Sequence, residues 1–132
     1  MAKERISAVI VKEKRILLVT GFDEKRYWTP GGKLEPGESH EQTLKRELKE
    51  ELGVELTDVR PYFSYEGFTT RLNEPQKVHC YLVEFKGDIR PSSEITSFGW
   101  FSRADFDSKR VRMFDEAEKN FIPRVIKDGI LG

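Results

Sequence analysis

Gly32 to Val54 reads GKLEPGESHEQTLKRELKEELGV and encodes one capped helix with an acidic face. Ser39 is an N-cap residue, and Gln42 three residues on closes a capping box. Gly53 supplies the left-handed position that ends a helix near Leu52. Between these ends Leu44, Leu48 and Leu52 recur at helical spacing and form a buried stripe. Glu47, Glu50 and Glu51 stand at i, i+3 and i+4, so a helix puts three carboxylates on one face. Like charges at that spacing repel, and a cation among them removes the repulsion. At 100° per residue the acidic and leucine stripes are adjacent rather than opposite, so the acids sit at the rim of the buried face. Carboxylate oxygens are hard ligands suited to Mg²⁺, with Mn²⁺ as a substitute. Arg46, one turn before Glu50, can pair with that carboxylate and aim it. The competing reading is a solvated face, with Glu41, Lys45 and Lys49 as ordinary helix-surface neighbours.

Outward from this helix the period changes. Ile6–Val11 reads as a strand with Ile16–Val19 as its partner and Lys12 to Arg15 as the turn. Pro30-Gly31-Gly32 and Pro36-Gly37 punctuate the chain as loop. Gly31 and Gly32 allow close backbone approach to a ligand, and their carbonyls are candidate metal ligands. No Gly-Lys-Ser or Gly-Lys-Thr follows, so this is not a Walker A loop. After the helix, Val59–Tyr65, Val78–Phe85 and Phe98–Phe101 read as strands, with loops at Gly67–Gln76 and Gly87–Glu94. Asp115 to about Lys127 reads as a helix that Pro123 kinks or interrupts. Strands, helix, strands, helix predict an α+β or layered α/β fold with a mixed sheet.

The chain has 132 residues, a length that points to one domain over 1–132. Lys plus Arg equals Asp plus Glu at 23 each, so nothing favours a long nucleic acid or an anionic membrane as partner. Cys80 is the single cysteine, which excludes a disulfide framework or a cysteine-rich zinc site. No apolar run reaches membrane-spanning length, and the N-terminus has no signal-peptide pattern, so a cytoplasmic protein is expected. His79 reads as a strand residue near a face edge, with no second histidine nearby to complete a metal set.

Gly32, Glu38, Arg46, Glu47, Leu48, Glu50, Glu51, Gly53 and Val54 fill every fixed position of Gly-x5-Glu-x7-Arg-Glu-U-x-Glu-Glu-x-Gly-U, with U a bulky aliphatic. A chance match at one start is on the order of 10⁻⁹. The segment therefore resembles the box of the Nudix hydrolases, and the length is similar to a whole domain of that family. The resemblance implies an α/β/α sandwich with a mixed sheet and a loop-helix-loop motif. It implies divalent metal held by Glu47, Glu50 and Glu51, with the Gly32 carbonyl joining them. Glu38 would support the loop or an additional metal. The implied reaction is hydrolysis of a nucleoside diphosphate linked to a further moiety.

Catalytic candidates are Glu50 and Glu51, which can position the attacking water, with Arg46 aiming a ligand. Glu94 resembles the loop glutamate that approaches the metal site in MutT-type members; otherwise it is a surface acid. Trp28 either stacks on a base or packs the glycine loop against the core. Phe114, Asp115 and Glu116 resemble, with shifted acid spacing, a purine-reading segment of oxidised-nucleotide hydrolases; otherwise they belong to a packing helix. Arg71 is a candidate phosphate contact by charge and setting. Together these imply a metal-dependent pyrophosphohydrolase of nucleoside triphosphates with a small-molecule nucleotide substrate, and the resemblance extends to enzymes that clear nucleotides with an oxidised base. The alternatives are hydrolysis of ADP-ribose, nucleotide sugars or dinucleoside polyphosphates, and a non-catalytic nucleotide-binding module. Many relatives are dimers, so a homodimer is an open expectation.

Overall fold

The computed structural model describes residues 3–22, 25–68 and 74–132. In order, these residues form β1 (Lys3–Val9), β2 (Val11–Lys12), β3 (Arg15–Thr20), β4 (Gly31–Lys33), α1 (His40–Leu52), β5 (Glu55–Phe68), β6 (Pro75–Lys86), β7 (Ser97–Phe101), α2 (Arg103–Asp107), α3 (Asp115–Asn120) and α4 (Ile122–Lys127). A four-stranded sheet runs β4-β1-β6-β5 and a three-stranded sheet runs β2-β3-β7. β1 and β6 are parallel while the other pairs are antiparallel, so the arrangement is the mixed α+β one that the element order predicts.

Alternation along the strands builds two cores. In β3, Leu17 and Val19 enter one core with Leu44, Leu48 and Leu52 of α1. The intervening Ile16 and Leu18 enter the other, with Phe121 and Val125 from the C-terminal segment. β1 divides likewise, Ile6 and Ala8 toward α1 and Val9 away from it. The three α1 leucines are fully buried, each worth about 1.5–3 kcal/mol. The strands thus lie between α1 and the short C-terminal helices, which is the sandwich expected.

Four local expectations need correction. The first two strands do not form one hairpin: only Val11–Lys12 pairs with β3, whereas β1 pairs with β4 and β6. Glu13 and Lys14 both have positive φ, as a two-residue hairpin turn requires, so Lys12 and Arg15 are its flanking pair. Gly31 and Gly32 are strand rather than loop; β4 pairs with Ser7 and Ile6 of β1. Both ends of the expected Gly67–Gln76 loop are strand as well, Gly67 opposite Gln76 and Phe68 opposite Pro75. Helix α2 was not foreseen, because five residues carry too little periodicity. Pro123 acts as expected: the helix breaks at Phe121, and proline occupies the first turn of α4, where its missing N–H costs nothing. No helix among the described residues is long and apolar enough to cross a membrane.

Candidate active site

Helix α1 begins where the sequence places it. The Ser39 Oγ accepts from the Gln42 backbone N–H at 3.2 Å, and the Gln42 Oε1 accepts from the Ser39 N–H at 2.8 Å. It ends at Gly53, whose φ of 67° is the left-handed cap. These ends set the phase of the acids. Glu51 is buried at 2% exposure, whereas the Glu50 side chain is 54% exposed and that of Glu47 14%. The three share a face but differ in their access to water.

The glycine strand explains the burial of Glu51. The Gly31 N–H donates to Glu51 Oε1 at 3.0 Å, tying the carboxylate to β4. At Gly32 an added Cβ would collide with the Glu47 carboxylate, so only glycine lets that acid lie against the strand. Burial pushes the Glu51 carboxyl up to about 7, opposed by the Gly31 N–H and by Arg5 and reinforced by Glu47 and Glu94. Burial also raises Glu47 above the ordinary carboxylate range, opposed by Arg46. Two adjacent carboxylates destabilised as anions form a donor set of hard oxygens that a divalent cation would relieve. The residues present fit such an ion.

Arg46 does more than aim Glu50. Its Nε donates to Glu38 Oε2 at 2.7 Å and its Nη2 to Glu38 Oε1 at 2.9 Å, a two-pronged grip. Its Nη1 donates to Glu47 Oε1 at 2.7 Å, while Glu50 lies farther away at 3.6 Å. The arginine therefore orients Glu47 first. Glu38 also accepts from the Thr43 hydroxyl and the Glu35 N–H, and the Arg46 guanidinium holds its carboxyl down at about 2. Glu38 supports the loop.

The loop before β7 closes on the end of α1. Ser92 donates its N–H to the Glu51 carbonyl at 2.9 Å and its hydroxyl to the Glu50 carbonyl at 2.5 Å. Glu94 follows on that loop, solvent-exposed, and its charge is felt at Glu51.

A cavity of about 390 Å³ opens nearby, lined by Arg5, Trp28, Tyr65, Phe114, Glu116 and neighbours. Trp28 and Phe114 face each other with ring centroids 6.0 Å apart and planes tilted by 30°. The Phe114 side is built by Arg112: it grips Glu118 at 2.7 and 2.8 Å, and its carbonyl accepts from the Tyr27 N–H. Asp115 is exposed and does not line the cavity; its neighbour Glu116 does. Asn120 donates to the Glu116 carbonyl at 3.0 Å, steadying that turn. Arg71 lies outside the described residues.

A family profile described as the NUDIX domain matches residues 1–125. The chain belongs to the Nudix family. It is 34% identical over 93 residues to a bis(5'-nucleosyl)-tetraphosphatase (asymmetrical) of Mus musculus, covering 64% of this chain and 61% of that protein. The chain thus matches about three fifths of the length of the first curated relatives. It is 45% identical over 58 residues to the CTP pyrophosphohydrolase of Escherichia coli (strain K12), covering 41% of this chain and 43% of that one. A MutT structure from work on Aliivibrio salmonicida and Vibrio cholerae superimposes with a TM-score of 0.76 at 26% identity, covering 97% of this chain and 99% of that one. A Nudix hydrolase from Nitrosomonas europaea gives 0.78 at 20% identity, covering 99% of this chain and 92% of that one; this likeness concerns the fold alone.

Arg5 is the residue of this Nudix site that sequence reasoning missed. It lines the cavity, donates to the Thr29 carbonyl at 2.7 Å, and its charge lowers both Glu47 and Glu51. A strand arginine with no motif around it carries no signal in one dimension. A second miss is His79. It has a histidine partner after all: the His40 and His79 rings lie 4.5 Å apart, and with Glu4 they form a candidate metal-binding cluster. The two histidines are far apart in sequence, and parallel pairing of β1 with β6 beneath α1 brings them together.

Proposed function

We propose that this Nudix chain is a metal-dependent pyrophosphohydrolase, residues 1–132 acting as one domain, that cleaves a nucleoside triphosphate to the monophosphate and pyrophosphate. The observation that carries this reading is the position of Arg5, which lines an aromatic cavity and whose charge also reaches Glu47 and the buried Glu51 of α1. A base in the cavity would leave its phosphates directed at that arginine and those acids.

Gly32, Glu47, Glu50 and Glu51 are the residues that would hold Mg²⁺, or Mn²⁺ in its place. The ion, when bound, supplies charge neutralisation at the phosphates and acidifies a water. Arg46 keeps Glu47 in its orientation through the Glu38 grip. Glu50, half-exposed, and Glu94, exposed on the loop before β7, would accept a proton from the attacking water. Arg5 would bind phosphate oxygens. Trp28 and Phe114 would form the aromatic wall on which the base lies, with Glu116 accepting from its edge.

A second reading, hydrolysis of dinucleoside polyphosphates, is favoured by the mouse relative's name. Against it, the cavity is near the lower end of the roughly 300–1,000 Å³ of ligand pockets and suits one nucleoside rather than two. The test is one Mg²⁺-dependent panel with products resolved: ordinary and oxidised nucleoside triphosphates, dinucleoside polyphosphates, ADP-ribose and sugar nucleotides. Monophosphate plus pyrophosphate from a triphosphate supports the proposal, and faster turnover of the oxidised base adds a sanitising role. Turnover confined to another class of substrate refutes it.

A further inference from the structure

We propose that Glu4, His40 and His79 form a second metal site, for a borderline divalent cation of the zinc class, which clamps the start of α1 onto strands β1 and β6. Three elements supply one ligand each. Glu4 stands on β1, His79 on β6, and His40 is the first residue of α1. In the parallel β1/β6 register Ile6 is opposite His79, and Glu4 lies two residues before Ile6 on the same face. That is the face covered by α1, since Ile6 shares a core with Leu44 and Leu48. The ligand atoms of all three side chains lie within 4.8 Å of one another.

The surroundings are those of a prepared site. His79 Nε2 stands 2.9 Å from Glu4 Oε1, and its Nδ1 meets the Ser64 hydroxyl at 3.2 Å. His40 Nδ1 meets the Tyr81 hydroxyl at 2.6 Å. Each imidazole therefore has its Nδ1 held by a hydroxyl, and the Nε2 of His79 meets the carboxylate of the cluster. Metal-binding histidines have this pattern, because the outer partner fixes tautomer and ring orientation. The Glu4 and His79 side chains are 44% and 15% exposed, so an ion could enter past the carboxylate. Two imidazoles and a carboxylate suit zinc, with water as the fourth ligand.

This chemistry separates the cluster from the acids of the box. Mg²⁺ prefers all-oxygen sites, whereas imidazole nitrogen favours zinc and its neighbours. The two sites therefore take different ions from the same solution. The consequence is mechanical. His40 directly follows Ser39 of the capping box and is two residues from Glu38, which holds Arg46 and through it Glu47. Zinc at the cluster would fasten the turn from which the catalytic face starts. It stabilises that turn without entering the reaction, so the inference stands whether or not the hydrolytic reading does.

The experiment is zinc titration of the metal-stripped full chain against a chromophoric chelator, with Mg²⁺ saturating throughout, alongside thermal melts. The expected result is one tight zinc per chain and a raised Tm. His40→Ala and His79→Ala should each weaken zinc by more than the about 10–100-fold that loss of an outer partner costs. Tyr81→Phe should weaken it within that range. A Glu47→Gln/Glu51→Gln double variant should bind zinc as tightly as the parent. Bound Co²⁺ should give the intense visible bands of a tetrahedral nitrogen–oxygen site, a readout that needs no variant to fold. Zinc affinity that survives both histidine changes, is lost in the double glutamate variant, or is absent from the parent overturns the proposal, as does a Co²⁺ spectrum of octahedral type.

Discussion

Replacing Glu51 by glutamine should remove turnover and, in metal-free buffer above neutral pH, stabilise the protein. Glu51 is 2% exposed, and burial holds its carboxyl at about 7 against the ordinary glutamate value of 4.5. Between those two values the folded protein keeps a proton that the unfolded chain has released. Stability contributed by this group is therefore full below about 4.5 and declines as pH rises through about 7. At about 1.4 kcal/mol per unit, the metal-free protein forgoes about 3 kcal/mol at pH 8. Glutamine cannot ionise, and its Oε1 can still accept from the Gly31 N–H. The variant should thus melt higher than the parent at pH 8 in EDTA, by on the order of 10 °C. Near pH 4 the two should melt alike. A shallower slope of the same sign should remain from Glu47, also raised by burial. Saturating Mg²⁺ should reverse the order, because the parent gains a charged ligand that the variant lacks. The measurements are melts across pH with and without metal, and single-turnover hydrolysis. A variant no more stable than the parent at pH 8 in EDTA would refute the buried-charge account, and one with parental turnover would remove Glu51 from the chemistry.

Arg46→Ala should lower kcat by about 10–100-fold with little change in KM, because it frees Glu47 without touching the cavity; parental kcat would show that the arginine positions nothing. Trp28→Ala should raise KM by about fivefold or more, the lower end of a base-stacking contact, with kcat less affected; steady-state kinetics on the best substrate of the panel checks this. Glu116→Gln should change the ranking among bases while sparing metal dependence, whereas Asp115→Asn should change neither; the same panel reads both. Leu48→Ala should cost about 2–5 kcal/mol in urea unfolding, since the residue is fully buried between α1 and the sheet; a loss below about 1 kcal/mol would mean the core refills.

Legibility followed the range of the interactions. The α1 ends, its leucine stripe and its acidic face were all readable, because caps and stripes involve residues within a turn or two of one another. Strand positions for β5, β6 and β7 were readable to within a few residues for the same reason. Pairing was not. The hairpin expected between the first two strands shrank to the two-residue β2–β3 pairing, and β1 joined the other sheet, where it gains backbone partners from both β4 and β6. Asp115 and Glu116 are adjacent in sequence, and only the direction of α3 shows which of them faces the cavity.

The local pattern of 32–54 was enough to settle that this chain carries a capped amphipathic helix with three acids on one side. Helical geometry is a property of consecutive residues, and no other part of the chain had to be known. Tertiary structure decided what those acids are. Gly31 and Gly32 as a strand against β1 bury Glu51 and leave Glu50 in water. The same packing carried Arg5 to the acids and His40 to His79. Desolvation and long-range charge depend on which distant segments meet, and a linear string of residues does not contain that distance.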